Sequence, residues 1–310
     1  MGRGTWSWIV PDGLRGIAEP PTPPSKVRPQ GGGMQDSPDE TLFAAIIYVL
    51  FSGCAWRALP PCFGISKSTA HRRFLLWSRA GVRGRLHEEI LHRLDDVGLL
   101  DLLRAVLDSA HVSAEEGANS QVRATWTGVG RALRMHVLSD VNGLPLLVGI
   151  SAANIHDSLA LKPTVQGHQT RHGPHRGRSS KPQRLHADHA YDVPHLRKWL
   201  WGKHIGVRIA RKGVESGERS GRSRRVIERT VSWLTGYRRL NHRYERHPRN
   251  YLALLGLAAA TNDSPDSPQR TRPKANHDLY ESLRARCYRE RSDRGVVPVC
   301  AARRVAPLRR

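Results

Sequence analysis

The stretch MHVLSDVNGLPLLVGISAAN, residues 135–154, decides the fold class. Its two apolar runs are rich in Val, Leu and Ile, are short, and are bounded by turn residues, so each reads as a strand. Between them Asp140-Val141-Asn142-Gly143 supplies the Asn-Gly pair of a hairpin, because both residue types tolerate positive φ. Working outward, AVLDSAHV (105–112), RLHADHAYD (184–192) and IGVRIARKG (205–213) have the same short, turn-bounded character. Helical patterns are expected at about 157–166, 193–203, 223–235 and 250–260. A meander followed by alternating helix and strand predicts an α/β domain with a mixed central sheet.

Upstream, Ser37-Pro38-Asp39-Glu40 predicts a helix start, with Ser37 as N-cap, Pro38 at the first helical position and Glu40 reaching back in a capping box. Leu42, Phe43, Ile46, Ile47, Val49 and Leu50 give that helix its apolar side, and Gly53 ends it. Ser66 is expected to cap a second helix, with Ala70, Phe74 and Trp77 inward and His71, Arg72, Arg73 and Arg79 outward. A third runs from about Arg85 to Val97 on Leu86, Ile90, Leu91 and Leu94. Three short helices with basic outer faces fit a helix-turn-helix module, or a plain helical bundle with exposed Arg. Residues 1–36, Pro- and Gly-rich from 11 onward, read as a loose lead-in. HQTRHGPHRGRSSKPQ (168–183) reads as a mobile basic loop, and 263–310 as a basic disordered tail. The expected units are therefore 1–36, 37–98, 99–262 and 263–310.

Lys and Arg total 50 against 27 acidic residues, a formal charge of +23. An excess of that size favours a polyanion over neutral or acidic small substrates. Arg-favouring codon bias exchanges Lys for Arg but does not create the net excess. Cys54, Cys62, Cys287 and Cys300 form no CxxC pair, which excludes zinc-finger spacing, and their number suggests no disulfide scaffold. A reducing cytoplasm is the expected compartment. The sequence has no run of 18 or more apolar residues and no pattern of a signal peptide.

Against this basic background three carboxylates have defined addresses. Asp108 closes the run AVLD, Asp188 follows RLHA, and Glu228 lies in RSRRVIERTVSWL, which has helical period. Two carboxylates at strand ends and one on a helix supply hard oxygen donors that can hold two divalent cations against a phosphodiester. Each alone reads as an ordinary turn, cap or ion-pair residue; the three contexts in order along one basic chain carry the specificity. His111, His136, His186 and His189 lack transition-metal spacing and read as structural. His168, His172 and His175 fall in the expected loop and face solvent there. Trp126, Trp199, Trp201 and Trp233 can stack on flipped bases, with core packing favoured for Trp233.

Taken together, these segments resemble the DDE transposases of bacterial insertion sequences, in the group labelled four and five. The resemblance covers roughly residues 36–118 and 135–260. It is carried by GCAWRALP with FG, RFLLW and RAGV, VLDSAHV, the hairpin stretch running on to NIHDSLALKP, LHADHAYD, RIARKG and VIERTVSWLTGYRRLNHRYER. It implies a ribonuclease H-like catalytic domain behind a small helical domain. By motif it implies that Asp108, Asp188 and Glu228 are the catalytic, metal-binding triad, with Mg²⁺ or Mn²⁺ as cofactor. It implies cleavage at transposon ends and strand transfer into target DNA, with double-stranded DNA as partner and a dimer or larger synaptic assembly. A nucleoid-associated bacterial location follows from the same resemblance. Arg72, Arg73, Arg224, Arg225, Arg229 and Lys212 are the expected DNA contacts; Arg224 also stands one turn before Glu228, the spacing of a helix ion pair. His189 occupies the place where family members commonly carry Lys. The competing readings are a non-catalytic DNA-binding remnant and a stand-alone nuclease. Residues 118–133 depart from the family pattern, 1–35 agree only in MGRG, and the resemblance ends after Ala260. Compensating frameshifts would leave that signature, implying a degraded copy that keeps its carboxylates.

Overall fold

A computed structural model of the chain describes residues 37–114, 132–172, 181–211 and 217–264, together with Trp6, Ile9, Val10 and Leu14. The expectations placed on Trp126, His175, Lys212, residues 115–131 and the tail beyond 264 lie outside these, as does the side chain of His172.

The helical part comprises α1 (Asp39–Ser52), α2 (Lys67–Arg79) and α3 (Val82–Asp96). Then follow β1 (Arg104–Ala114), β2 (Leu133–Ser139), β3 (Pro145–Ala152) and α4 (Ser158–His172). The chain continues through β4 (Arg184–Ala187), α5 (Pro194–Gly202), β5 (Gly206–Ile209), α6 (Gly217–Thr235), β6 (His242–Arg243) and α7 (Pro248–Asp263). The sheet order is β3-β2-β1-β4-β5, with β6 on the far end of β1. β2 runs antiparallel to β1 and β3, whereas β4 and β5 run parallel to β1. This mixed sheet, a meander continued by crossover strands, is the ribonuclease H-like arrangement. No described helix is long and apolar enough to cross a membrane.

The hairpin forms where Asn142-Gly143 predicted it, but with a different turn. Only Gly143 has positive φ, at 88°, so the connection is a type I turn closed by a left-handed Gly rather than a turn with two positive φ values. Asp140 drives this choice. Its Oδ1 accepts the N–H groups of Asn142 at 2.8 Å and Leu144 at 2.7 Å, which folds the loop around one buried carboxylate.

Several expectations are corrected. Pro38, not Ser37, takes the N-cap position of α1, without a side-chain cap. Trp6, Ile9, Val10 and Leu14 are buried, where the reading of 1–36 expected a loose lead-in. Trp6 stacks on Phe63 at 4.9 Å, and its indole N–H donates to Thr41 Oγ1 at 3.2 Å. Arg73 is buried rather than outward. Positions 70, 73, 74 and 77 share one helical stripe, and Asp39 at the start of α1 neutralises the guanidinium that falls within it. The segment from His168 is not a loop throughout: α4 runs on to His172, and His168 is 1% exposed instead of facing solvent.

Ser66 caps α2 as expected, accepting the Thr69 N–H at 3.0 Å. Gly53 closes α1 at φ 69°, where a Cβ would stand 2.8 Å from that of Arg238. The apolar helix α7 packs against α2, α3 and β3, so the helical part and the sheet share one continuous core.

Candidate active site

β1 and β4 are parallel neighbours whose last paired residues are Leu107 and Ala187. One further step along that register puts Asp108 beside Asp188, at the spacing of adjacent strands, roughly 4.8 Å. Asp108 is half-buried and accepts the Ser109 N–H at 2.7 Å. Burial pushes its carboxyl above the ordinary range, and the charges of Asp188 and Asp157 push the same way, against the Ser109 N–H and Arg224. Asp188 is exposed and caps the short turn His189–Tyr191, accepting the His189 N–H.

Glu228 is carried by α6, whose polar outer face leaves it exposed. It accepts from Arg224 Nε at 2.9 Å, so the helix ion pair expected from spacing is present. Arg224 is also exposed, and its guanidinium is held more strongly protonated than usual by Glu228 first, then by Asp188 and Asp108. One cation therefore lies in the field of all three carboxylates. The helix is fixed at its inner side, where Thr230 donates to the carbonyl of Gly143 at 2.8 Å and Arg229 to that of Asn142 at 2.8 Å.

A fourth carboxylate, Asp157, escaped the sequence reading. Its Oδ1 accepts from Ser109 Oγ and pairs with Arg134 Nη1, each at 2.7 Å, which braces the strand that carries Asp108. Tyr191 is buried beside it, and burial together with Asp157 and Asp108 pushes its hydroxyl up. The only local signal was an Asp at the junction of a strand and a helix, which is also where a cap would sit.

The oxygen-only chemistry of Asp108 and Asp188 suits a hard divalent cation, and their mutual repulsion on adjoining strands is what such a cation relieves. Among the described residues, no three His, Cys, Asp or Glu side chains converge closely enough to hold a metal ion. Glu228 is turned to Arg224 and Asp188 to His189.

Two of the histidines are held by neighbouring side chains. His136 is buried, shares a hydrogen bond of 2.8 Å with Ser151 Oγ, and is pushed down to about 4, chiefly by burial. His111 is bound to Arg134 at 2.9 Å. Of the expected DNA contacts, Arg72, Arg224, Arg225 and Arg229 are exposed, while Arg73 is committed to Asp39. Arg229 also lies over the half-buried Trp233 ring at 5.0 Å, and Trp199 lies under Lys162 at 5.9 Å. Trp201 is 61% exposed. A surface cleft of about 700 Å³, lined by Leu102, Lys181, Gln183 and His204 among others, opens at the other ends of β1 and β4 from these carboxylates.

A mixed sheet of order β3-β2-β1-β4-β5, with Asp108 inside β1 and Asp188 just past the end of the neighbouring β4, is the ribonuclease H-like arrangement with two acidic residues on adjoining strands. Residues 101–262, more than half of the chain, match the family described as "Transposase DDE domain", and the protein belongs to that family. Residues 12–87 match "Putative transposase of IS4/5 family", which extends the likeness into the segment that the motif reading had left out. The chain is similar to a Burkholderia cepacia protein named "Putative transposase for insertion sequence element IS402", 34% identical over 122 residues, 39% of this chain and 58% of that protein. The match thus spans less than two thirds of that relative's length. It is also similar to the "Insertion element IS402 uncharacterized 16.2 kDa protein" of the same organism, 35% identical over 108 residues, 34% of this chain and 74% of that one. Among solved structures, a chain of "Crystal structure of a pre-cleavage Mos1 transpososome" aligns over 77% of this chain and 82% of its own at 10% identity. Its TM-score of 0.26 is too low for the likeness to bear on fold or chemistry.

Proposed function

We propose that this protein is an insertion-sequence transposase that cuts DNA at transposon ends and joins the freed 3′ ends to target DNA. The observation that carries the reading is the parallel register of β1 and β4, which ends one step before Asp108 and Asp188, with Glu228 paired to Arg224 on α6. Membership of the DDE family supplies the reaction class.

In this reading Asp108, Asp188 and Glu228 hold Mg²⁺ or Mn²⁺. When bound, such cations make an oxygen nucleophile at neutral pH and neutralise the leaving oxygen. The chain's own groups prepare the site. Ser109 fixes Asp108 through its N–H, and Asp157 braces the same strand through Ser109 Oγ and Arg134. Arg224 balances the carboxylates and, on releasing Glu228, turns to a DNA phosphate as a forked donor. Arg72 and Arg225, exposed on α2 and α6, contribute further phosphate contacts. Residues 37–98 act as the DNA-contacting helical unit and 99–262 as the catalytic unit, and two ends are held in a dimer or larger assembly.

Cleavage of a duplex carrying the flanking inverted repeats, with Mg²⁺, tests this directly. Wild-type protein should nick the repeat end and join a pre-cut end to a second duplex. Glu228→Gln and Asp188→Asn should lose roughly a thousandfold or more, as removal of several kcal/mol of charge stabilisation requires. Binding without cutting would leave a DNA-binding remnant, and hydrolysis with no joined product would leave a nuclease.

A further inference from the structure

Behind Asp108 and Asp188, the same face of the sheet carries buried Val106 and half-buried His186 and, around them, three exposed arginines. Residues two apart on a strand share a face, so Arg104 lies on the Asp108 side of β1, and Arg184 and His186 lie on the Asp188 side of β4. The register lines these up across strands: Arg104 beside Arg184, and His186 beside Arg208 of β5. The opposite face, with Ala105, Leu107, Leu185 and Ile209, is buried core, whereas all three arginines are exposed.

Like charges grouped on a sheet repel, and among the described residues no carboxylate pairs with any of these arginines. Three exposed guanidinium groups on one face, with no carboxylate paired to them among the described residues, suit an anion from elsewhere.

We infer that Arg104, Arg184 and Arg208 form a track for the phosphodiester backbone of duplex DNA, seating the strand that runs away from the carboxylates. Arg104 and Arg184 stand four residues before Asp108 and Asp188, about 13 Å at roughly 3.3 Å per residue. A DNA strand carries one charge per roughly 3.4 Å of axis, so the track meets phosphates within about four nucleotides of the cut. The inference rests on the proposed function for its polyanion and for the position of the cut.

The test uses the full chain and a 30-bp duplex of arbitrary sequence, with binding followed by fluorescence anisotropy across KCl concentrations without divalent cations. Replacing all three arginines by Gln should flatten the slope of log K against log salt by about 2–3, at roughly 0.9 per phosphate contact, and weaken low-salt binding at least tenfold. Replacing all three by Lys should restore most of the slope. Lys198→Gln, exposed on α5 and outside the row of three arginines, should leave it unchanged. Coincident melting curves identify variants that remain folded. An unchanged slope in the Gln variant overturns the track, as does an equal loss per charge in Lys198→Gln. Competition by an oligo-glutamate peptide as strong as by DNA would overturn it too, in favour of an acidic protein segment. Asp188→Asn should bind with the wild-type slope and fail to cut. If it cuts normally the proposed function fails while the track stands, and if only the slope prediction fails the track falls alone.

Discussion

The Thr230 hydroxyl donates to the carbonyl oxygen of Gly143 at 2.8 Å within the core, and this contact ties the helix of Glu228 to the β2–β3 turn. Gly143 has φ 88°, and a Cβ there would stand 2.9 Å from Thr230 Oγ1. Gly143→Ala therefore combines backbone strain with displacement of α6. It should destabilise the fold by about 1–3 kcal/mol, seen as a lower melting temperature. Cleavage measured well below the melting point should fall about a hundredfold, since a shift near 1 Å in a catalytic group has that effect. Thr230→Val removes the hydrogen bond without the strain. It should destabilise by about 1–2 kcal/mol and reduce cleavage less. Full cleavage by Gly143→Ala would show that this contact does not position Glu228.

Asp108 should be a residue that activity keeps at the expense of stability. Its carboxyl is raised by burial and by neighbouring Asp188 and Asp157, so the folded state holds the proton more tightly than the unfolded chain. The ionised form thus opposes folding at neutral pH, and the opposition fades as pH falls through the raised value. Asp108→Asn is predicted to melt at the wild-type temperature or about 1–4 °C higher at pH 7 while cutting roughly a thousandfold more slowly. A clear drop in melting temperature would assign Asp108 a purely structural role.

The same displacement sets the acid limb of cleavage. Asp108 must lose its proton before its oxygens serve a hard cation, and the cation competes with that proton. Cutting should therefore fade at a pH above the ordinary carboxylate range, and the midpoint should move lower as Mg²⁺ is raised. Asp157→Asn removes one of the charges that raise Asp108, so its midpoint should also shift lower. Rate–pH profiles at low and high Mg²⁺ measure both shifts. A midpoint indifferent to Mg²⁺ would mean that another group limits the rate.

What could be read from the chain depended on whether the signal was local. The apolar runs ending in Asp108 and Asp188 located two strands, and the Ile227–Leu234 period located the helix of Glu228. Register was not readable, because only the paired strands show that Arg104, Arg184 and Arg208 share a face with the carboxylates. Arg73 was misread because polarity was taken as a sign of exposure, when its helical position pointed inward to a carboxylate 34 residues away. Trp6 was missed for a similar reason: a short apolar cluster ahead of a Pro- and Gly-rich run gives no period, and its partners Thr41 and Phe63 lie far along the chain. Asp157 gained its meaning from Ser109 and Arg134, on two other strands.

His136 makes the stability of the sheet sensitive to acid in a defined window. It lies in β2 at 2% exposure, shares a hydrogen bond with Ser151, and is pushed down to about 4, mainly by burial, with Arg134 adding to the shift and Asp157 opposing it. Above its unfolded value near 6.5 neither state binds the proton, and stability is unaffected. Between roughly 6.5 and 4 the unfolded chain takes up a proton that the folded chain refuses, so stability falls with pH. The full loss from this one residue approaches about 3 kcal/mol, at roughly 1.4 kcal/mol per unit of displacement. His136→Gln keeps a hydrogen-bonding partner for Ser151 without the titration. Urea unfolding at pH 7 and pH 5 should show wild type losing about 2 kcal/mol more than the variant over that interval. Parallel losses in the two proteins would mean that the imidazole takes up its proton without leaving the fold, through an opening beside Ser151.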